Sequence, residues 1–263
     1  MQDVEAFLEH LSTRRRSPKT VRLRRSFLVQ FLERGWQPRA ASLSDLEKLV
    51  YRPEWKPETM NAAISSIRGF YRWAVRSELV TRNPAEDLEL AHISREVKAL
   101  ADEDAIGAAL AVATLPERVM LRLGRECGLR RTEIATLRTT DRVGPWLNVL
   151  GKGGRRRRLH MSPALIADLD ELEALQGAGF IFPGRWDGHL APETVYRHIV
   201  RLVGSSPHSL RRRAGTTVFR ASGNNLRLTQ EFLGHSSPTV TAMYVQILDD
   251  DLVTAGALAA IDA

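Results

Sequence analysis

A single cysteine, Cys127, stands among the 263 residues. One thiol can neither close a disulfide nor supply a thiolate metal site within one chain. Apolar runs are equally scarce: none approaches the roughly 18 residues that a membrane span needs, and no apolar core of a secretory leader follows the first residues. The expected setting is cytoplasmic, with no membrane partner. Acidic residues are outnumbered, 31 Asp and Glu against 38 Lys and Arg, for a net charge of +7, and the stretch 14–25 contains none at all. That balance favours a polyanionic partner such as nucleic acid, because Lys and Arg contacts to phosphate release condensed counterions. Aromatic residues make up only 6%, yet a hydrophobic content of 43% is enough for real cores and excludes global disorder. There is no internal repeat and no low-complexity tract.

What is present reads as helices in two groups. In residues 2–13, Val4, Phe7, Leu8 and Leu11 recur at helical spacing. Ser17-Pro18 is a helix start, cap then first turn. The next helix turns Val21, Leu28, Phe31 and Leu32 inward and leaves Lys19, Arg22 and Arg25 on an outer face. Ser42 caps a helix over 43–50. Pro57 opens a long one carrying Met60, Ile64, Ile67, Phe70, Tyr71 and Trp73, which Thr81-Arg82-Asn83-Pro84 stops. Residues 1–85 are thus expected to form an all-helical domain with a basic surface, and the charged, aperiodic stretch 86–98 a linker. A second domain, 99–263, opens with helices over 102–113 and 116–125, broken at Gly128 and resumed over 131–137. Two strands, 146–150 and 157–161, flank the tight connection Gly151-Lys152-Gly153-Gly154, a hairpin signal. Helices over 163–175 and 191–203 enclose a short strand at 180–182, and an apolar tail, 247–263, ends the chain. The fold class is mainly α with a small β-sheet.

Several residues could carry phosphate chemistry. Arg130 follows the Gly128 break with Glu133 three positions on, close enough to hold its guanidinium; a plain surface ion pair is the bland alternative. Lys152 sits between glycines on a hairpin tip, either reaching into a groove or merely solvated. It is no Walker loop, since the glycine spacing and the following Ser or Thr are missing. His208 and Arg211 share a helix face just inside the Ser206-Pro207 start, near an N-terminus that favours an anion. Leu233-Gly234 ends a helix and fixes His235 in a turn. Tyr244 falls on a short segment begun by Ser237-Pro238. Its phenol, with an unperturbed pKa near ~10, needs cationic neighbours to become a nucleophile, and packing is the commoner fate of such a residue. Metal binding by His208 and His235 lacks a carboxylate or thiol at ligand spacing.

Taken in order, these pieces resemble the tyrosine recombinase (phage integrase) family. CGLRRTEIATL is similar to its first box, with Arg130 and Glu133. GKGGRRRRLHMS is similar to its hairpin lysine, at Lys152. HSLRR matches at His208 and Arg211, and LGHSSPTVTAMY carries His235 and, nine residues later, Tyr244. The N-terminal half resembles the family's core-binding domain, notably in SPKT and FYRWAVRSELVTRNPAEDL. Two departures stand out. Arg212 occupies a position where the family commonly has histidine, and no arm-binding domain precedes residue 1, which implies a simple two-domain form.

The resemblance implies cofactor-free, metal-independent transesterification. Tyr244 attacks a scissile phosphate to give a 3′-phosphotyrosyl link, and Arg130, Arg211 and His235 stabilise the phosphoryl oxygens. Lys152 is the candidate acid, His208 the candidate base and Glu133 an orienting group. Arg14, Arg15, Arg16, Lys19, Arg22, Arg25, Arg155, Arg156 and Arg212 are the candidate DNA contacts. The implied partners are double-stranded DNA at specific core sites, clasped between the two domains, and three further copies of the chain in a homotetramer on two duplexes. Accessory DNA-bending or directionality proteins are left open, and the implied location is the nucleoid. An integrase of a phage or mobile element is the leading expectation. A chromosome-dimer resolvase, a type IB topoisomerase-like enzyme and a catalytically inactive DNA-binding regulator are the alternatives.

Overall fold

The structure, a computed structural model, describes residues 1–93, 99–151, 154–235, 237 and 241. The chain divides into two compact units, Met1–Glu96 and Val97–Ala263. Among the described residues no helix is long and apolar enough to cross a membrane.

The first unit holds α1 (Gln2–Thr13), α2 (Pro18–Glu33), α3 (Leu43–Val50) and α4 (Pro57–Arg76). Their starts are written locally. The Ser17 hydroxyl accepts from the Thr20 amide at 3.2 Å, and Ser42 and Asp45 form a reciprocal capping box. The helices bury one core whose centre is aromatic. Phe70 has Phe7, Trp36, Tyr71 and Trp73 around it with ring centroids 5.0–5.7 Å away, mostly in the edge-on and tilted geometries that ring quadrupoles favour. The aromatic stripe of α4 is therefore core. Inside it, Trp36 donates its indole N–H to the Tyr71 hydroxyl at 3.0 Å, and burial drives the Tyr71 phenol up to about 12.

Two ends differ from expectation in an informative way. α4 stops at Arg76, before the Thr81–Pro84 signal, because Glu78 takes a left-handed conformation, φ 55°. The amides of Glu78 and Leu79 then cap the Val75 and Ala74 carbonyls at 3.1 and 2.9 Å. This is the turn that glycine usually provides. α1 ends the same way through Arg15, φ 53°. Beyond α4 the chain lies on its own unit. Leu88 is fully buried, Arg68 donates to the Leu88 carbonyl, and Asn61 both donates to and accepts from the Ala91 backbone, at 3.0 and 2.7 Å. Residues 94–98, the rest of the expected linker, lie outside the described residues.

The second unit is helical around a small sheet. α5 (Glu103–Val112) and α6 (Leu115–Arg125) lead to the single turn and a half of α7 (Arg131–Ala135). β1 (Arg142–Val143), β2 (Trp146–Leu150) and β3 (Arg156–His160) form an antiparallel sheet in chain order. β1 was not expected, and β3 begins one residue earlier than the pattern predicts. α8 (Pro163–Gln176), β4 (Pro183–Trp186), α9 (Pro192–Val203), α10 (Pro207–Ala221) and α11 (Leu226–Leu233) follow. α6 is the axis, packed against α8, α9 and α10 through the buried Val119, Met120, Leu121 and Leu123. The strand expected at 180–182 is not formed. Phe180 makes only an isolated bridge to Arg138, while Ile181 and Phe182 are buried anchors, each held by a single backbone bond of 2.8 Å, to Leu137 and from Leu190 respectively. Strand geometry starts instead at Pro183, where the chain turns back tightly: a Cβ on Gly184 would stand 2.7 Å from the His189 carbonyl oxygen.

Replacing Tyr71 by Phe leaves the Trp36 N–H buried with no acceptor, a loss of about 1–3 kcal/mol. Urea denaturation followed by tryptophan fluorescence is expected to show that loss, with little change in the slope of the transition.

Candidate active site

The site grows from three turns. The first is the break between α6 and α7. Gly128 adopts φ 59°, where a Cβ would meet Leu233 and Phe232 of α11 at 3.1–3.2 Å, so glycine serves both the backbone and the packing here. The turn exposes the Gly128 carbonyl inward and presents Arg130 at the start of α7. Glu133, one turn on, accepts from the Arg130 amide at 2.9 Å and from its guanidinium at 2.7 Å. The expected pairing of Arg130 with Glu133 is present.

The second is the β2–β3 hairpin. Strand alternation turns Arg157 and Leu159 inward and Arg156, Arg158 and His160 outward. Arg157 is paired in register with Val149 and buried with it. Its guanidinium forks onto the Glu133 carboxylate, with N–O distances of 3.1 and 2.8 Å, both side chains being 5% exposed. Sequence reasoning passed over Arg157 as one of four consecutive arginines. The two-residue period shared with Leu159 was the available signal, since an arginine on a strand's core face needs an acid partner.

The third is the end of α11. Gly234 takes φ 65°, and a Cβ there would touch the Arg157 side chain at 3.0 Å. The turn therefore rests on Arg157 and sets His235 beside it. The His235 backbone is fixed by Gln230, which accepts from its amide at 3.1 Å and donates its own side-chain amide to its carbonyl at 3.2 Å. The His235 Nδ1 lies 3.1 Å from the Thr241 hydroxyl, and the ring is buried.

α10 closes the cluster. Capped by Ser206, it carries Arg211, wholly buried, across the gap between the first and third turns. The guanidinium donates to the carbonyls of Gly128 and Leu233 and stands 3.9 Å from Glu133. Its neighbour Gly215 allows α11 close, for a Cβ there would lie 2.9 Å from Leu233. His208, one turn before Arg211, is exposed.

Electrostatics follow from this geometry. Three guanidiniums, Arg130, Arg157 and Arg211, face one carboxylate, Glu133, so the cluster carries 3 − 1 = 2 positive charges. Burial works to raise the Glu133 pKa, but the Arg157 hydrogen bond and charge, then Arg130, outweigh it and bring it down to about 2. Desolvation, followed by the charges of Arg211, Arg130 and Arg157, depresses His235 to about 3. His208 reaches solvent with one edge, yet enough of its ring is enclosed that partial desolvation, then Arg211, Arg130 and its arginine neighbours, lower it. Both imidazoles are neutral near pH 7, so each can donate one hydrogen bond and accept another. The net positive charge of the cluster can attract an anion, and Arg130 is its most exposed cation.

The other candidates are more scattered. Arg155 and Arg156 are exposed and line, with Arg157, Gly234 and His235, a cleft of about 180 Å³. Arg212 donates to the Ala99 carbonyl at 2.7 Å. In the first unit Arg25 is held by Glu5, with one N–O distance of 2.8 Å, and Arg14, Arg15, Arg16, Lys19 and Arg22 are exposed. Lys152 and Tyr244, the expected acid and nucleophile, lie outside the described residues, as does the tail 247–263.

Comparison with known proteins gives this geometry its class. Residues 94–250 match the model of the phage integrase family. The tyrosine recombinase XerC of Xylella fastidiosa is 30% identical over 224 residues, covering 79% of this chain and 76% of that one. Among solved structures, a lambda integrase dimer bound to a COC′ core site superposes with a TM-score of 0.76 at 18% identity, covering 93% of this chain and 76% of that one. A lambda integrase tetramer bound to a Holliday junction superposes at 0.75, also at 18% identity, covering 90% and 77%. At that identity the structural likeness shows the fold, mainly helical with a small sheet. The chain belongs to the phage integrase family. Its activity class is that of the tyrosine site-specific recombinases.

The depressed His235 predicts how stability depends on pH. Below pH 6.5 the unfolded chain takes up a proton that the folded ring refuses until about pH 3. Stability is therefore whole above 6.5 and falls as the pH drops, by up to about 1.4 kcal/mol per unit. The depressed His208 adds in the same direction, whereas Glu133 contributes only below its ordinary 4.5. Urea midpoints between pH 6.5 and 4.5 are expected to fall in the unsubstituted chain and to fall less steeply in His235→Gln.

Proposed function

We propose that this chain cuts and rejoins DNA strands at specific sites through a covalent phosphotyrosyl intermediate on Tyr244. The observation that supports this reading best is the convergence of Arg130, Arg211 and His235, far apart in the chain, on the single Glu133–Arg157 ion pair. In the proposed reaction the Tyr244 oxygen attacks phosphorus and the deoxyribose 5′-oxygen leaves, taking a proton from Lys152. Religation runs the same exchange backwards, so the bond energy is conserved and no external energy source is consumed. Arg130 and Arg211 grip the non-bridging oxygens, whose charge grows in the transition state. Donors already fixed in place are the largest part of such catalysis. His235 donates to the same oxygens. His208, uncharged near pH 7 and open to solvent, is suited to take the phenol proton. Glu133 orients Arg130.

The first unit, 1–85 with its extension, is assigned the role of binding core-type DNA, and the second, 99–263, that of catalysis. We read the active assembly as a homotetramer on two duplexes, with Arg155 and Arg156 beside the scissile strand. Integration of a phage or mobile element is the role we favour. Resolution of chromosome dimers fits the same comparisons, because the curated relative is itself a XerC recombinase.

On a nicked suicide duplex carrying the chain's own recombination site, the unsubstituted protein is expected to form a denaturant-resistant protein–DNA adduct, and Tyr244→Phe none, with DNA binding retained. An adduct in the Phe variant moves the nucleophile elsewhere. Lys152→Ala is expected to slow cleavage on the order of 10²-fold or more, and far less on a substrate whose leaving oxygen is replaced by sulfur, which departs without a proton. Equal slowing on both substrates removes Lys152 from the acid role.

A further inference from the structure

The strongest unexplained feature lies in the first unit, where five arginines border an open cleft of about 470 Å³ between α1, α2 and α4. Arg14 and Arg16 flank the left-handed Arg15, whose turn sends both of them to the cleft while Arg15 itself does not line it. Arg72 and Arg76 come from successive turns of α4, with their Nε atoms spent on backbone carbonyls of their own helix. Arg24 enters from α2. No aspartate or glutamate lines the cleft, and among the described residues none of the five arginines is in a salt bridge.

Arg24 is the unusual member. Its guanidinium is half-buried, lies 5.9 Å from the centroid of the Phe7 ring, and is seated against Gly69. A Cβ on Gly69 would come 2.6 Å from its Nη1 and 3.2 Å from its Cζ. Glycine in the middle of the twenty-residue α4 costs about 1 kcal/mol of helix propensity, and here it makes the bed on which the guanidinium rests. Desolvation, then the charges of Arg16 and Arg72, push the Arg24 pKa below its ordinary 12.5. A partly desolvated cation among like charges is costly unless an anion joins it.

We propose that this cleft is a built phosphate seat, in which Arg24, held by Phe7 and Gly69 and assisted by Arg16 and Arg72, grips one backbone phosphate of bound DNA. The seat rests on the reading of the chain as a DNA recombinase. It differs from a merely basic face in depending on Gly69, whereas the neighbouring Arg25 is an exposed cation paired with Glu5. A phosphate contact fixes register without reading bases, so the seat sets where the first unit grips the duplex and leaves sequence preference to other residues.

The test measures binding of the full-length chain to a fluorescein-labelled random-sequence duplex of about 30 base pairs across a salt series, by anisotropy. Arg24→Gln is expected to weaken binding on the order of tenfold at low salt and to reduce the slope of log K against log salt by about one. Gly69→Ala keeps every charge and displaces only the guanidinium, and it is expected to weaken binding comparably. Arg39→Gln, which removes an exposed charge already paired with Asp3, is expected to bind as the unsubstituted chain does. Circular dichroism melts confirm that each variant is folded, and Arg72→Gln, expected to lose affinity in the same sense, replaces any variant that is not. If Arg24→Gln weakens binding while folded Gly69→Ala does not, the cleft is diffuse positive charge and the proposal is overturned. It is equally overturned if Arg24→Gln matches Arg39→Gln. An unsubstituted chain that leaves the duplex unbound at low salt removes the DNA reading itself, and the seat with it.

Discussion

One buried carboxylate sets the rest of the second unit. Glu133 is 5% exposed and receives the fork of Arg157, the amide and guanidinium of Arg130 and, at 3.9 Å, the charge of Arg211. Any of these guanidiniums alone in a protein interior is expensive, and removing one member of such a pair costs several kcal/mol because the other is stranded. The carboxylate makes their burial tolerable while leaving the group two charges positive. An apolar replacement could fill the volume but could not hold several cations in fixed orientations. Preorganisation for an anion is thus a consequence of how the core is satisfied.

The carboxylate can collect these partners only because backbone turns bring them within reach. Gly128 ends α6 and aims its carbonyl at Arg211, Gly234 ends α11 and lies on the Arg157 stem, and Gly215 lets α10 and α11 approach. Each position has either a positive φ or a neighbour inside the space of a Cβ. Arg211 then ties two helix ends together through their carbonyls, satisfying acceptors that helix termini otherwise leave open. The cations around Glu133 are in this way part of what closes the helical layers.

Legibility followed the length scale of the signal. The Arg130–Glu133 pair was readable because three residues is one helical turn, and Ser206 and Gly234 marked helix ends by ordinary capping chemistry; the shared face expected of His208 and Arg211 instead splits, His208 exposed and Arg211 buried. The α4 terminus was misplaced because a glutamate, not a glycine, took the left-handed position. The strand expected at 180–182 failed because two buried apolar residues can be anchored without a ladder. Arg157 was hidden in an arginine run where only the strand period separates inside from outside. Arg24 was overlooked in favour of Arg22 and Arg25. Its distinction lies in Phe7 and Gly69, residues remote in sequence. Lys152 and Tyr244 were singled out by spacing and by resemblance, and both remain outside the described residues.

The two arginine clusters solve opposite problems. Around Glu133 the cations have an acid of their own, so their positions are fixed before any ligand arrives, and the reorganisation that would slow a chemical step is already done. Around Arg24 no acid lines the cleft, and an aromatic face with a glycine bed does the positioning instead. A phosphate seated there as proposed would meet no carboxylate lining the cleft. The cost is stronger dependence on salt, because exposed charges such as Arg14, Arg16, Arg72 and Arg76 are screened within about 10 Å at 0.1 M ionic strength. Under the proposed function, a buried acid suits the place where bonds are exchanged. Its absence suits a place that must only hold on.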